Sequence, residues 1–269
     1  MTISNAINLN MMSPIQFSIQ DGVAWITLNK PEKLNAFDRT MALDLQARLD
    51  EAANLREVRC VVLTGTGKGF SAGQDLAELT GPQPPSMSQI LAEHYNPIVR
   101  KIRQMPKPVV AAVNGVAAGA GANIALCCDV VVATASAVFI QAFSKIGLIP
   151  DSGGTWFLPR LIGWQKALAL AMLGDKVGSA EAERLGMVYK VFADDEFTGQ
   201  VTRLATTLAA MPTHGLALTK HAFNQSMTSP LDQQLDLEDR FQQEAALTWD
   251  YREGVEAFLQ KRNPVFRGE

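Results

Sequence analysis

Three short apolar runs constrain the fold of this chain more than any other feature of its sequence. RCVVLTG, KPVVAAVNG and DVVVATA begin at residues 59, 107 and 129. Uninterrupted apolar runs of this length are typical of strands that are buried on both faces, as in parallel sheets covered by helices. Helix-like segments precede the second and third runs, at residues 90–104 and 118–128. Strands that alternate with helices predict an α/β architecture with largely parallel pairing.

The segment before these runs predicts a hairpin followed by a helix. IQFSIQDGVAWITLNKP alternates apolar and polar residues around an Asp-Gly pair, which is typical of two strands joined by a tight turn. Between Arg39 and Asn54, apolar residues recur at Met41, Leu45 and Leu49, which is the spacing of one helix face. The chain therefore enters the α/β region through two strands and one amphipathic helix.

The end of the chain is predicted to be helical. SAEAERLG begins with Ser179, a residue type that caps helix N-termini, and the segments from residue 194 onward have helical patterns. We divide the chain into a leader at residues 1–14, an α/β core at residues 15–200 and a helical C-terminal region at residues 201–269. The leader lacks the basic and apolar parts of a secretory signal.

Composition argues against nucleic-acid and membrane functions. The chain has 24 basic and 27 acidic residues, and a net charge of −3 does not favour a nucleic acid as partner. Residues 109–128 carry no charge, which is the length of a membrane span, but they contain three glycines and two asparagines. A strand, a turn and a buried helix account better for this stretch.

The cysteines indicate neither a disulfide nor a metal site. Cys60, Cys127 and Cys128 lie inside apolar runs without the spacing of metal ligands, and adjacent cysteines are poor disulfide partners. We expect buried thiols in a reducing compartment, and hence a cytoplasmic protein. No nucleotide-binding glycine motif occurs either. From the cysteine spacing and this observation together, we expect neither a metal nor a redox cofactor.

Two small-residue turns and one acidic turn are the candidates for chemistry. FSAGQD (70–75) and GVAAGAGAN (115–123) follow predicted strands, and the second opens a helix. Backbone N–H groups exposed in such turns can form an oxyanion hole, although tight strand-to-helix packing explains the small residues equally well. Asp151 in IPDSGG is either an ordinary turn residue or an acid presented to a substrate.

Several motifs together resemble the crotonase (enoyl-CoA hydratase/isomerase) superfamily. They are NKPEKLNAF, FSAGQDL, the stretch from KPVVAAVNG to ATASAVF, IGLIPDSGGT and AFLQKRNPVF, in that order over residues 15–267. AFSKIGLIPDSGGTW, DYREGV and NPIVRKI are most similar to the 2-(1,2-epoxy-1,2-dihydrophenyl)acetyl-CoA isomerases of phenylacetate degradation. The resemblance implies a crotonase-like ββα spiral core, a C-terminal helical trimerisation region and an acyl-CoA thioester ligand. It also implies a homotrimer or a dimer of trimers.

The resemblance also implies roles for particular residues. The main-chain N–H groups of Ala72 and Ala120 would form the oxyanion hole, and Asp151 would be the acid or base. Phe258 and Lys261 would reach a CoA bound in a neighbouring subunit. The residues expected near the substrate, including its adenine and pantetheine, are Lys33, Leu34, Ala36, Gln74, Asp75 and Leu76, with Asn123 and Phe143 in the acyl pocket.

Departures from the hydratase pattern predict isomerisation. Hydratases of this superfamily hold a water between two glutamates, and Asn123 and Phe143 occupy those positions here. Neither residue can take a proton from water, whereas Asp151 stands where the hydratase loop has glycine. One carboxylate beside an oxyanion hole can move a proton from C2 to another carbon of a conjugated acyl group.

We therefore expect an isomerase that converts ring-1,2-epoxyphenylacetyl-CoA to oxepin-CoA in phenylacetate catabolism. The alternatives are a general Δ3,Δ2-enoyl-CoA isomerase, then an enoyl-CoA hydratase. A protein of a different class, namely a non-catalytic or RNA-interacting member of the fold, remains an alternative that Asp151 and the net charge argue against.

Overall fold

The computed structural model describes residues 13–269, so residues 1–12 of the predicted leader lie outside the described residues. Two sheets form the core of this part of the chain. The large sheet has the strand order β1-β2-β3-β5-β7-β10, and the small sheet has the order β4-β6-β8-β9. The strands are β1 Ile15–Gln20, β2 Val23–Leu28, β3 Cys60–Gly65, β4 Gly69–Ser71, β5 Val109–Val113, β6 Val116–Ala118, β7 Val130–Thr134, β8 Val138–Ile140, β9 Lys176–Gly178 and β10 Lys190–Phe192.

Helices connect the strands and then continue alone to the end of the chain. The α-helices are α1 Arg39–Asn54, α2 Leu76–Leu79, α3 Met87–Ile90, α4 Asn96–Gln104, α5 Ala120–Leu126, α6 Gly154–Ile162, α7 Trp164–Leu173, α8 Ser179–Arg184, α9 Phe197–Ala209, α10 Thr213–Ser226, α11 Leu231–Ala246 and α12 Trp249–Gln260. Short 3-10 helices span Pro31–Lys33 and Ala142–Ile146, and a π-helical turn spans Leu91–Tyr95.

The predicted parallel pairing is confirmed in the large sheet. β2, β3, β5, β7 and β10 pair in parallel, while β1 and β2 form the predicted antiparallel hairpin. Asp21 and Gly22 both have positive φ at its turn, which suits the twist of a two-residue hairpin loop. Helix α1 has the predicted bounds, and the Asp38 side chain caps it by accepting from the Met41 amide at 2.9 Å.

Both faces of the large sheet are buried, as its uninterrupted apolar runs require. Alternate residues of β3 face opposite sides: Val61 and Leu63 join the main core with α1, while Cys60 and Val62 pack against α9. Helix α9 extends across the predicted boundary at residue 200 and packs on the sheet, so the start of the predicted C-terminal region is continuous with the core.

A partly buried ion pair connects helix α10 to the core. Lys220 Nζ lies 2.8 Å from Asp129 Oδ2 and donates a hydrogen bond of 2.7 Å to the main-chain oxygen of Ile102. Arg103 also pairs with Asp129, at 3.3 Å. Burial lowers the pKa of Lys220, and the nearby Asp129 carboxylate opposes that shift.

The prediction that Ser179 caps helix α8 is wrong. The N-cap is Gly178, and Ser179 is already helical. The Ser179 hydroxyl donates a 2.6 Å hydrogen bond to the main-chain oxygen of Ala135 instead. Tertiary contact with the end of β7 therefore outweighs the local capping preference.

The uncharged stretch at residues 109–128 forms two strands and helix α5 inside the core. Between residues 13 and 269, no helix combines the length and the apolar character needed to cross a membrane.

Candidate active site

The candidate site lies at one edge of the small sheet. Strands β4, β6 and β8 are parallel neighbours, so the segments that follow them emerge at the same edge. These segments line one cavity of about 220 Å³ together with residues of the short helices Leu76–Leu79, Met87–Ile90 and Leu91–Tyr95. Of the predicted site residues, the cavity brings together Ala72, Gln74, Leu76, Ala120, Phe143 and Asp151.

The structure disagrees with the prediction that the Ala72 N–H is an oxyanion donor. That N–H donates a 2.8 Å hydrogen bond to the main-chain oxygen of Leu34 and is not available to a ligand. Phe37 and Gln74 form a parallel bridge in which the Phe37 N–H donates to Gly73 and the Asp75 N–H donates to Phe37, both at 2.7 Å. The bridge leaves the Gln74 N–H on the opposite side, where it has no acceptor within residues 13–269. Gln74, rather than Ala72, therefore presents the free donor of this turn.

The second turn presents a free N–H at Ala120. Ala120 is the first residue of α5, so its N–H has no acceptor in the preceding helical turn and none elsewhere in the described chain. Gly119 has a φ of +53° and anchors the turn by donating a 2.9 Å hydrogen bond to the Ile140 oxygen.

The two donor-bearing turns are in direct contact. A Cβ atom added to Gly73, which has a φ of +86°, would lie 2.8 Å from the Ala118 oxygen and 3.3 Å from the Ala120 nitrogen. A Cβ atom added to Gly121 would lie 2.6 Å from the Ser71 side chain. Glycine at both positions thus lets the two turns that carry the free N–H groups pack closely against each other.

Asp151 supplies the one carboxyl group among the residues that line this cavity. Burial raises its pKa, and a 2.8 Å hydrogen bond from the Ser152 hydroxyl to Asp151 Oδ1 opposes that shift. A carboxylate with a raised pKa is a better base at neutral pH than an exposed aspartate. Within residues 13–269, no group of three or more His, Cys, Asp or Glu side chains is placed to hold a metal ion.

The rest of the cavity wall is largely apolar. Phe143 is 6% exposed, and its ring lies beside Gly119, where an added Cβ atom would be 3.8 Å away. The other apolar side chains that line the cavity are Leu76, Leu79, Met87, Ile90, Leu91, Ile146 and Leu148. This lining suits an apolar acyl group.

Asn123 does not line the cavity, although the sequence predicts it there. Its side chain is fully buried, donates a 2.9 Å hydrogen bond to the main-chain oxygen of Asp151, and accepts one of 2.8 Å from Gln141. The structure therefore places Asn123 behind the loop that carries Asp151.

Tyr95 lines the cavity, and no sequence motif pointed to it. It ends the π-helical turn, and its hydroxyl donates a 2.7 Å hydrogen bond to the Gln74 side-chain oxygen. Burial raises the Tyr95 pKa well above its ordinary value, and the charge of Asp151 adds to the shift. π-Helical turns are frequent at functional sites, but the helical pattern of residues 90–104 gave no sign of one.

The loop predicted to hold CoA runs beside the first turn. Lys33 Nζ lies 2.6 Å from Asp75 Oδ2, and this hydrogen bond raises the Lys33 pKa and lowers that of Asp75. Leu34 is 37% exposed, while Ala36 is buried. The structure thus brings the predicted CoA residues of both segments together, next to the cavity wall formed by Leu76.

Phe258 and Lys261 lie apart from this cavity. Phe258 is 82% exposed on helix α12 and lines a separate groove of about 520 Å³ formed largely by the C-terminal helices. Lys261 ends that helix in a left-handed conformation. Their predicted contact with a CoA in a neighbouring subunit stays a prediction.

Comparison with known proteins agrees with this geometry. The family described as Enoyl-CoA hydratase/isomerase matches residues 18–269. The chain belongs to this family. A 1,2-epoxyphenylacetyl-CoA isomerase from Escherichia coli K12 is 47% identical over 263 residues, which cover 96% of this chain and all of that protein.

Two further relatives show how far the similarity extends within the enoyl-CoA hydratase/isomerase family. A Rhodobacter capsulatus protein named "Probable enoyl-CoA hydratase" is 44% identical over 94% of this chain and 98% of its own length. A solved structure from Mycobacterium abscessus has a TM-score of 0.90 and 37% identity, over 95% of this chain and 100% of that one. The chain is therefore an enzyme of this family with the crotonase fold.

Proposed function

We propose that this enzyme isomerises acyl-CoA thioesters by relocating a proton, with Asp151 as the acid/base. The observation that carries the proposal is that Asp151 is the single carboxyl group lining a cavity that also presents two free N–H donors, those of Gln74 and Ala120. Hydration by two carboxyl groups that hold a water between them does not fit this cavity, because within residues 13–269 its wall has one carboxyl group, and the apolar Phe143 is part of the same wall.

The mechanism begins with the thioester oxygen. The Gln74 and Ala120 N–H groups donate to it and stabilise the negative charge that develops there when C2 loses a proton. The Asp151 carboxylate takes that proton and becomes a carboxylic acid. In a 3-enoyl-CoA it returns the proton to C4, so the double bond moves to C2–C3 with no net gain or loss of atoms.

The same groups serve the physiological substrate that we propose, ring-1,2-epoxyphenylacetyl-CoA. The carbon–carbon bond shared by the epoxide and the six-membered ring opens to give a seven-membered oxepin, and Asp151 carries the C2 proton to a ring carbon. The product has the composition of the substrate. The reaction moves a proton and rearranges bonds, so it needs no resident cofactor, and CoA is part of the substrate.

The 47% identity to the Escherichia coli isomerase supports this choice of substrate over a general 3-enoyl-CoA. The proposal includes a cytoplasmic homotrimer or dimer of trimers, in which Phe258 and Lys261 reach the CoA of a neighbouring subunit. The exposure of Phe258 on α12 is compatible with such a contact.

A panel of three CoA esters tests the proposal: the aromatic epoxide, a 3-enoyl-CoA and crotonyl-CoA. Mass spectrometry separates the reaction classes, since isomerisation leaves the mass unchanged and hydration adds one water. We expect turnover of the epoxide, slower turnover of the 3-enoyl ester and little hydration. Brisk hydration of crotonyl-CoA would contradict the assignment of an isomerase.

The variant Asp151→Asn tests the role of the carboxylate. It should still bind acyl-CoA and lose about 10²-fold or more in kcat, which is the usual contribution of a general acid/base. Asp21→Asn in the β1–β2 turn is the matched control, because it changes the same chemical group away from the cavity. Unchanged turnover in Asp151→Asn refutes the mechanism, and a wild-type protein that binds CoA esters without turning any over favours the non-catalytic alternative.

A further inference from the structure

The buried carboxamide of Asn123 is tied to the segment that carries Asp151. Its Nδ2 donates to the main-chain oxygen of Asp151 at 2.9 Å, and the Gly154 N–H donates to the same oxygen at 2.8 Å. A carbonyl oxygen has two acceptor sites, and both are therefore filled. One donor comes from helix α5 and the other from the first residue of α6.

An amide is the group that these contacts require at position 123. The Asp151 oxygen is an acceptor only, so the Asn123 Nδ2 must face it, and the Asn123 Oδ1 then accepts a 2.8 Å hydrogen bond from the Gln141 side-chain amide. That bond is the one hydrogen bond of the Gln141 side chain within residues 13–269, and the buried Gln141 Oε1 has no partner there. The orientation of the Asn123 carboxamide is thus determined on both sides.

The segment that follows Asp151 packs closely against the Asn123 side chain. A Cβ atom added to Gly154 would lie 2.2 Å from Asn123 Nδ2, so the start of α6 packs directly on the carboxamide. Ser152 is 2% exposed and has a φ of +51°, a strained conformation for a residue with a side chain. Such strain persists only where surrounding contacts hold it.

From this arrangement we infer that Asn123 is a positioning residue for Asp151 and does not contact the substrate. This inference rests on the proposed role of Asp151. Asn123 holds the Asp151 main chain, and the Ser152 hydroxyl holds the carboxylate itself at 2.8 Å. Loss of the Asn123 donor frees one side of the Asp151 carbonyl, lets Ser152 relax and displaces the carboxylate relative to the Gln74 and Ala120 donors.

The test is Asn123→Leu, which has the same branching of heavy atoms and removes the hydrogen bonds without adding charge. We expect kcat for acyl-CoA isomerisation to fall about 10²-fold, the typical effect of misplacing a catalytic group by about 1 Å. We expect KM to stay within about threefold of wild type, because no substrate contact is lost. Gln141→Leu is the matched control: it removes the contact behind Asn123 and keeps the bond to Asp151, so it should lower kcat less.

A second readout is the titration of the Asp151 carboxyl carbon by NMR with carbon-13-labelled aspartate, assigned with Asp151→Asn. The titration midpoint should move in Asn123→Leu and stay near that of wild type in Gln141→Leu. Asn123→Ala, which removes the same two hydrogen bonds with a smaller side chain, is measured in the same way should leucine not be accommodated.

The outcomes separate this inference from the proposed function. A raised KM with unchanged kcat would show that Asn123 contacts the substrate and would overturn the inference, as would a lowered kcat with an unmoved titration. A wild-type protein without isomerase activity refutes the proposed function, but the Asp151 titration still decides whether Asn123 positions the carboxyl group.

Discussion

Gly73→Ala is expected to disable the proposed oxyanion hole without replacing any side chain that lines the cavity. The added Cβ atom would lie 2.8 Å from the Ala118 oxygen, about 0.6 Å short of the 3.4 Å at which ordinary contact begins. Ala118 ends strand β6 and precedes the Ala120 turn, so the Gly73–Gln74 turn must withdraw from the second donor.

The magnitude follows from hydrogen-bond geometry. Donors of an oxyanion hole act at about 2.7–3.1 Å, and a withdrawal of about 0.6 Å takes the Gln74 N–H outside that range. Loss of one such donor costs about 2.7–4 kcal/mol of transition-state stabilisation, or about 10²–10³-fold in kcat. The left-handed φ of +86° adds a folding cost of about 1–2 kcal/mol for alanine.

The assay measures turnover of a 3-enoyl-CoA ester at saturating substrate, with thermal unfolding of the same samples. Gly22→Ala is the matched control, because Gly22 has a φ of +75°, its nearest neighbour would be 3.6 Å from the new Cβ atom, and it does not line the cavity. Gly73→Ala should lose at least as much stability as Gly22→Ala because of its 2.8 Å contact, and only Gly73→Ala should lose activity. A folded Gly73→Ala variant that turns over substrate at nearly the wild-type rate would refute the assignment of the Gln74 N–H.

Three further predictions concern charge. Because burial raises the folded-state pKa of Asp151 above its ordinary value of 3.8, the activity should be lost as the pH falls through a midpoint above 3.8, as a pH profile of kcat/KM would show. Because burial raises the pKa of Asp151 in the folded state, ionisation of this carboxyl group opposes folding as the pH rises from 3.8 through the raised pKa. Asp151→Asn should therefore have a higher Tm than wild type at pH 7. A difference in Tm that persists below pH 3.8 would exclude this cause. Lys220→Met should lower the free energy of unfolding by about 1.5–3 kcal/mol in denaturant titrations, because it removes a charged hydrogen-bond partner from the partly buried Asp129, which keeps Arg103 and the Val109 N–H; a loss below about 1 kcal/mol would show that the pair is effectively solvated.

The sequence predicts the fold well wherever local pattern and tertiary burial agree. The apolar run at β3 must be a strand buried on both faces, since Val61 and Val62 face opposite cores. Helix α1 has its predicted bounds because an apolar stripe and the Asp38 cap favour the same helix. The resemblance also predicts Asp151 as the acid or base; the structure places this residue at the cavity, and its role stays a prediction.

The sequence could not show which amide of the first turn is free. That depends on the bridge between Phe37 and Gln74, which pairs segments that are distant in the chain. Local pattern also could not show that Asn123 lies behind the cavity wall, or that the helix before Asn96 is wound so that Tyr95 faces the cavity. The sequence shows the chemical type of each of these groups. Contacts between distant segments of the chain determine where each group points.

The segments that follow the three parallel strands β4, β6 and β8 contribute different chemical groups to the candidate site. The segments after β4 and β6 each contribute a main-chain donor, and the segment after β8 contributes Phe143 and Asp151. Under the proposed mechanism, thioester activation and proton transfer therefore depend on different segments of the chain that follow neighbouring strands of one sheet. Replacing residues 141–152 alone should change which proton is moved, or whether water takes part in the reaction. It should leave the Gln74 and Ala120 N–H donors, which activate the thioester in the proposed mechanism, in place.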